Sequence, residues 1–126
     1  MSDPDEKRRF FREQAAFPIV YRIKAPQSII NEFGTEEHRA TASNLSEEGL
    51  RLFTDFELPV GAVIALKFML INSASISAVD RSRKMDLEAE VRHSSHAIVK
   101  SSYFVGAHFM RLSDSDRAFI VATITS

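Results

Sequence analysis

The residues best suited to binding chemistry form a short basic segment near the start of the chain. Lys7, Arg8, Arg9 and Arg12 flank two phenylalanines, so four cations and two aromatic side chains lie within six residues. A guanidinium group is planar and always charged, so it can pair with phosphate oxygens, bind the O6 and N7 edge of guanine, or stack on a base. The segment is a candidate nucleotide site, and a solvated basic arm is the alternative.

A second polar motif runs from Asn44 through Ser46 to Gly49 and lies between two strand-like segments. Asn and Ser side chains form hydrogen bonds with nearby backbone groups, and glycine permits a positive φ or a close backbone approach. The motif therefore predicts a tight polar turn that either binds a ligand or only connects two strands.

The remaining titratable residues predict no catalytic or metal centre. His93 and His96 are three residues apart, so a strand would point them to opposite faces, and even with His108 no further ligand is evident. The adjacent carboxylates at 36–37 and 47–48 would diverge in the same way. The chain has no cysteine, which excludes disulfides and thiolate chemistry. We therefore expect that the protein is not an enzyme and that it binds neither a metal ion nor a cofactor.

The length and net charge of the chain exclude further classes of function. The chain has 126 residues, enough for one domain, and its 44% hydrophobic and 26% charged residues are typical of a folded protein. A formal charge of −1 argues against a general binder of nucleic-acid polymers. Residues 1–13 contain no apolar stretch and Lys67 interrupts the longest apolar run, so we expect neither a signal peptide nor membrane insertion, and a cytoplasmic location.

Strands must position these motifs, because apolar and polar residues alternate along most of the chain. Residues 28–33 are interpreted as further strand or loop, residues 72–85 as a long mobile hairpin loop, and residues 113–124 as a capped helix. The predicted strands cover residues 17–24, 38–43, 49–54, 62–71, 87–92 and 103–110. The sequence therefore predicts an all-β fold, an antiparallel barrel over residues 14–126 with a short C-terminal helix, preceded by a flexible arm over residues 1–13.

Taken together, Arg8-x-x-x-Arg12 and the later Asn44-x-Ser46-x-x-Gly49 resemble the paired signature of the PilZ domain family, the cyclic di-GMP receptors. The turn at residues 58–61, the strand at 103–109 and the closing helix are similar to family features as well, so the resemblance covers nearly the whole chain. It implies a six-stranded antiparallel barrel whose arginine-bearing N-terminal segment folds over a bound cyclic dinucleotide.

The resemblance also implies roles for individual residues. Arg8 and Arg12 would bind the phosphates and guanine edges, while the turn residues Asn44, Ser46 and Gly49 would line the opposite side.

Three further residues are possible ligand contacts. Lys7 precedes the first motif arginine, Arg8, and in the family a cation at that position favours a stacked pair of ligand molecules. Arg9 follows Arg8 directly and is a further possible contact. Arg92 stands where some relatives have an aromatic residue that stacks on guanine, and a guanidinium can stack as well.

The function implied is a receptor and adaptor whose arm changes conformation when cyclic di-GMP binds. Its signal would pass to a separate effector protein of motility, secretion, pilus or exopolysaccharide machinery. Two alternatives remain open: a β-barrel that binds single-stranded nucleic acid through the basic arm, and a degenerate PilZ-like adaptor that binds no nucleotide.

Overall fold

A computed structural model of the chain describes residues 16–72, 82–97 and 102–125. Over these residues, six antiparallel strands close into a barrel in the order β1-β2-β3-β6-β5-β4. The strands are β1 (Phe17–Ala25), β2 (His38–Ser43), β3 (Gly49–Thr54), β4 (Val63–Ile71), β5 (Ser82–His96) and β6 (Tyr103–Met110). Two helices accompany them, α1 (Gln27–Phe33) and α2 (Asp114–Thr125). The predicted barrel and its C-terminal helix are confirmed.

Alternation along the strands explains the core. In β1, Ile19, Tyr21 and Ile23 point into the barrel and are almost fully buried. The hydroxyls of Tyr21 and Thr54 lie 2.8 Å apart inside the core, so each buried hydroxyl has a partner. Burial raises the pKa of Tyr21, which keeps the phenol protonated at neutral pH.

The interpretation of residues 28–33 as strand or loop is wrong, because this segment forms α1. Ile29, Ile30 and Phe33 pack on the barrel core, and this spacing belongs to a helix rather than to a strand. The helix ends at Gly34, whose φ of 88° is a left-handed conformation and whose N–H donates to the Ile30 carbonyl. Helix α1 is only seven residues long, so its periodicity is too short to stand out in the sequence.

The interpretation of residues 72–85 as a loop is wrong at its end, because β5 begins at Ser82. Met85 is fully buried opposite Phe68 of β4. Arg83 interrupts the alternation of apolar and polar residues in β5, because it lies on the same face as the buried Met85. Its guanidinium Nε lies 2.9 Å from a carboxylate oxygen of Asp116 in helix α2. Residues 73–81 of the predicted loop lie outside the described residues.

Helix α2 packs against β4. The hydroxyl of Ser113 accepts a hydrogen bond from the Asp116 N–H at 3.1 Å, as an N-cap residue does. Ile120 is fully buried in the barrel core. With 7 and 12 residues, neither described helix is long and apolar enough to span a membrane.

The hydroxyl pair in the core predicts a non-additive mutation series. Tyr21→Phe and Thr54→Val should each lower the free energy of unfolding by about 1–2 kcal/mol, because each leaves the other hydroxyl buried without a partner. The double variant should lose about 1 kcal/mol less than the sum of the single losses. Urea denaturation of the four proteins measures this difference, and strict additivity would show that the hydroxyls do not interact.

Candidate ligand-binding site

The turn between β2 and β3 is built by its own polar side chains. Asn44 adopts a left-handed conformation with a φ of 54°, which asparagine tolerates better than most residues. The Ser46 N–H donates to the Gly49 carbonyl at 2.9 Å. The Ser46 hydroxyl in turn accepts the N–H groups of Glu48 at 3.1 Å and of Gly49 at 3.3 Å. Ser46 therefore holds the turn closed from inside.

Gly49 is required where the turn enters β3. A Cβ atom at this position would collide with the carbonyl oxygen of Ala107 in β6 and lie 3.1 Å from the Cα of His108. The sequence allowed either a positive φ or a close approach at this glycine. The structure assigns the positive φ to Asn44 and the close backbone approach to Gly49.

The turn opens onto a pocket of about 310 Å³ on the outer face of the barrel. Strands β3, β6 and β5 form its floor and sides. The lining includes Asn44, Ser46, Gly49 and Arg92, so the structure brings together four of the candidate residues. The other lining residues are Glu48, Leu50, Arg51, Gly106, Ala107 and His108.

A β-bulge turns Arg92 toward this pocket. The register between β5 and β6 shifts between Val91 and His93, so Arg92 is the extra residue of the bulged strand. Its Nε donates to Glu90 Oε1 at 2.8 Å, and the Arg92 side chain remains 58% exposed. Such an exposed ion pair adds little stability but restricts where the guanidinium points.

Sequence analysis missed Arg51, Gly106 and His108. Arg51 lies directly across from Gly106 in the β3–β6 register, and its guanidinium carbon lies 5.2 Å from the centroid of the Phe104 ring. This cation–π contact fixes the arginine beside a patch of pocket floor that Gly106 leaves free of side chain. Alternation along β3 predicts that Gly49 and Arg51 lie on the same face of the strand. No local sequence pattern specifies that β3 pairs with β6, so the sequence does not predict that Arg51 lies beside Gly106 and His108.

The charges around the pocket nearly cancel. Arg51 and Arg92 supply two cations, against carboxylates at Glu48 and Glu90. The nearby Glu47 pairs with Arg117 of α2 at 3.3 Å. Planar guanidinium groups and an imidazole can bind phosphate oxygens or base edges. Within the described ranges, no group of three His, Asp or Glu side chains is placed to hold a metal ion.

Four candidate residues, Lys7, Arg8, Arg9 and Arg12, lie outside the described residues. The point at which this segment joins the barrel is nevertheless described. Phe17 of β1 pairs with Ala42 of β2, two residues before Asn44. The chain therefore enters the barrel beside the motif turn.

Comparisons with known proteins agree with this geometry. Residues 6–126 match the family model described as "PilZ domain". The structure is similar to the inhibitor of motility MotI/DgrA from Bacillus subtilis, with a TM-score of 0.65, 14% identity, and 87% of this chain and 46% of that chain covered. It is also similar to apo MrkH from K. pneumonia, with a TM-score of 0.57, 16% identity, and 87% and 45% covered.

At these identities the two likenesses show the fold, and the chain spans less than half the length of either protein. No curated protein matches the chain in sequence.

The close approach at Gly49 predicts a large difference between two glycines of the same pocket. Gly49→Ala should lower the free energy of unfolding by about 3 kcal/mol, because the new methyl group collides with backbone that cannot move aside. Gly106→Ala is the matched control: its Cβ would lie 3.4 Å from His93 Cβ, an ordinary contact, so its loss should be much smaller. Urea denaturation measures both, and equal losses would contradict the assigned role of Gly49.

Proposed function

Since the chain belongs to the PilZ domain family, a family of cyclic di-GMP receptors, we propose that it binds cyclic di-GMP and acts as an adaptor. The observation that carries the proposal is the single pocket that gathers Asn44, Ser46, Gly49 and Arg92. Arg92 lies far from the other three in the sequence, and the β3–β6 and β6–β5 pairings bring it to the motif turn.

The pocket suits the two chemical parts of the ligand. Cyclic di-GMP has two phosphates and two guanines, and a guanidinium can pair with either or stack on the base. Arg51 and Arg92 border the floor left open by Gly106, so we assign them to a guanine base or its adjoining phosphate. Ser46 acts indirectly, because its hydroxyl already accepts two backbone N–H groups of the turn.

The described pocket is too neutral to hold a dianion alone, since Glu48 lines it beside the two arginines and Glu90 pairs with Arg92. We therefore assign the main phosphate contacts to Arg8 and Arg12, with Lys7 and Arg9 as further contacts that favour a stacked pair of ligands. Arg12 is five residues before Phe17, and five residues span at most about 18 Å. That reach includes the turn, since Phe17 is paired beside it.

The same geometry supports a switch in the arm, which would become ordered when its cations bind the ligand. PilZ domains are binding and adaptor domains rather than enzymes, which supports an output through contact with another protein. We propose an effector of motility, secretion, pilus or exopolysaccharide machinery, in the cytoplasm.

Calorimetric titration with cyclic di-GMP tests the proposal. Parallel titrations with GTP, cyclic GMP and a single-stranded oligonucleotide test the alternative ligands. Arg8→Ala and Arg12→Ala should each weaken cyclic di-GMP binding at least tenfold, about 1.4 kcal/mol, because a charge-assisted fork on phosphate is lost.

Arg22→Ala is the matched control, since Arg22 lies on β1 but lines a different part of the surface, and it should bind as the wild type does. Wild-type affinity in both arm variants, with unchanged melting temperatures, would remove the arm from the site. Binding of the oligonucleotide alone would favour the nucleic-acid alternative, and no binding at all the degenerate adaptor.

Amide hydrogen exchange tests the switch separately. Saturating cyclic di-GMP should slow exchange at residues 7–13 and 44–49 much more than in residues 62–68, because ligand contacts order the arm and the turn while the strand is already hydrogen-bonded. Slow exchange at the arm without ligand, unchanged on saturation, would contradict the switch.

A further inference from the structure

A second groove, of about 370 Å³, lies outside the ligand pocket. It is bounded by the end of α1, the loop between β3 and β4, and β5, and it shares no lining residue with the ligand pocket. Its apolar lining consists of Phe33, Leu58, Pro59 and Val60, and the Val60 residue is 64% exposed. The groove is therefore a partly apolar surface open to solvent.

Aromatic rings extend this surface beyond the groove. The Phe33 ring meets the ring of Phe56 edge-on, with centroids 6.4 Å apart, and Phe56 in turn lies 4.5 Å from the ring of His38. Phe56 is itself partly exposed. Edge-on packing of this kind can continue to another aromatic ring supplied from outside.

The groove also contains a buried polar atom without a partner. Ser94 lines it, and within the described part of the chain the Ser94 hydroxyl is buried with no hydrogen-bond partner. Buried hydroxyls in native structures normally have one.

Two carboxylates give the groove its charge. Glu32 and Glu57 line it, and neither pairs with a cation among the residues that the structure describes. Five other described acidic side chains do have such partners, at Glu37–Lys67, Glu47–Arg117, Glu88–Lys24, Glu90–Arg92 and Asp116–Arg83. A partly apolar groove with two carboxylates on its lining fits a segment that is both aromatic and cationic.

The chain contains one segment of that chemistry, Lys7 to Arg12, with four cations around Phe10 and Phe11. We propose that the groove binds residues 7–12 of a second copy of this chain when cyclic di-GMP is absent, since the proposed function assigns the same segment to the ligand. The phenylalanines enter the apolar part and the cations meet Glu32 and Glu57. Mutual exchange about a twofold axis makes this contact twice and closes a dimer.

Fluorescence anisotropy with a labelled peptide of residues 6–13 tests the contact on the full chain that carries Phe10→Ser and Phe11→Ser, so that its own segment does not fill the groove. Adding Val60→Asp or Glu57→Lys to this chain should weaken peptide binding at least fivefold. Met69→Asp and Asp86→Lys are the matched controls, being exposed residues outside the groove, and they should leave peptide binding unchanged. Failure of the Phe10→Ser/Phe11→Ser chain to bind the peptide, or equal losses in the controls, would overturn the proposal.

Sedimentation velocity then distinguishes a second copy from docking within one chain. The wild type should form dimers, while chains with Val60→Asp, or with both Phe10→Ser and Phe11→Ser, should stay monomeric. Mixing these two variants should restore a one-to-one dimer, since one chain has an intact groove and the other an intact segment. A monomeric mixture, or a wild type that never associates, would refute exchange between copies.

Discussion

The candidate site depends on the close approach of the β3 and β6 backbones at Gly49. Where Gly49 faces the Ala107 carbonyl there is no room for a side chain. This contact sets the β3–β6 register, which places Arg51 opposite Gly106. The motif turn thereby ends on the outer face of the sheet, next to the bulge that carries Arg92. The steric constraint at Gly49 and the bulge at Arg92 together position polar groups from three strands.

Electrostatics divides the surface in a complementary way. Most carboxylates along the strands are balanced by a nearby cation, including Glu88, whose pKa the hydrogen bond from Lys24 lowers. The formal charge of −1 is therefore the sum of local excesses of positive and of negative charge, and the charges are not evenly distributed. Glu32 and Glu57 are among the described carboxylates that pair with no described cation, while four of the sixteen cations of the chain lie within residues 7–12. Long-range attraction between such patches is screened by salt, so contacts that depend on it are sensitive to ionic strength.

Sequence reasoning predicted the barrel because period-two alternation is a local signal that each strand carries by itself. It failed at α1, where seven residues contain too few turns to show a period, and at Arg83, where a salt bridge to α2 replaces an apolar side chain. It found Asn44, Ser46 and Gly49 because they lie in one short motif. It could not find Arg51 or His108 as site residues, because their role follows from which strands pair, and pairing between distant segments leaves no local pattern.

The turn motif has a consequence for comparing relatives of this protein. Asn44 supplies a left-handed residue, Ser46 closes the turn and Gly49 admits the neighbouring backbone, so all three have folding roles that need no ligand. A descendant that lost its nucleotide would still be under selection to retain them. An intact turn motif is therefore poor diagnostic evidence that a relative is a working receptor. Better markers are residues without a packing role in the barrel, such as the exposed guanidinium of Arg92.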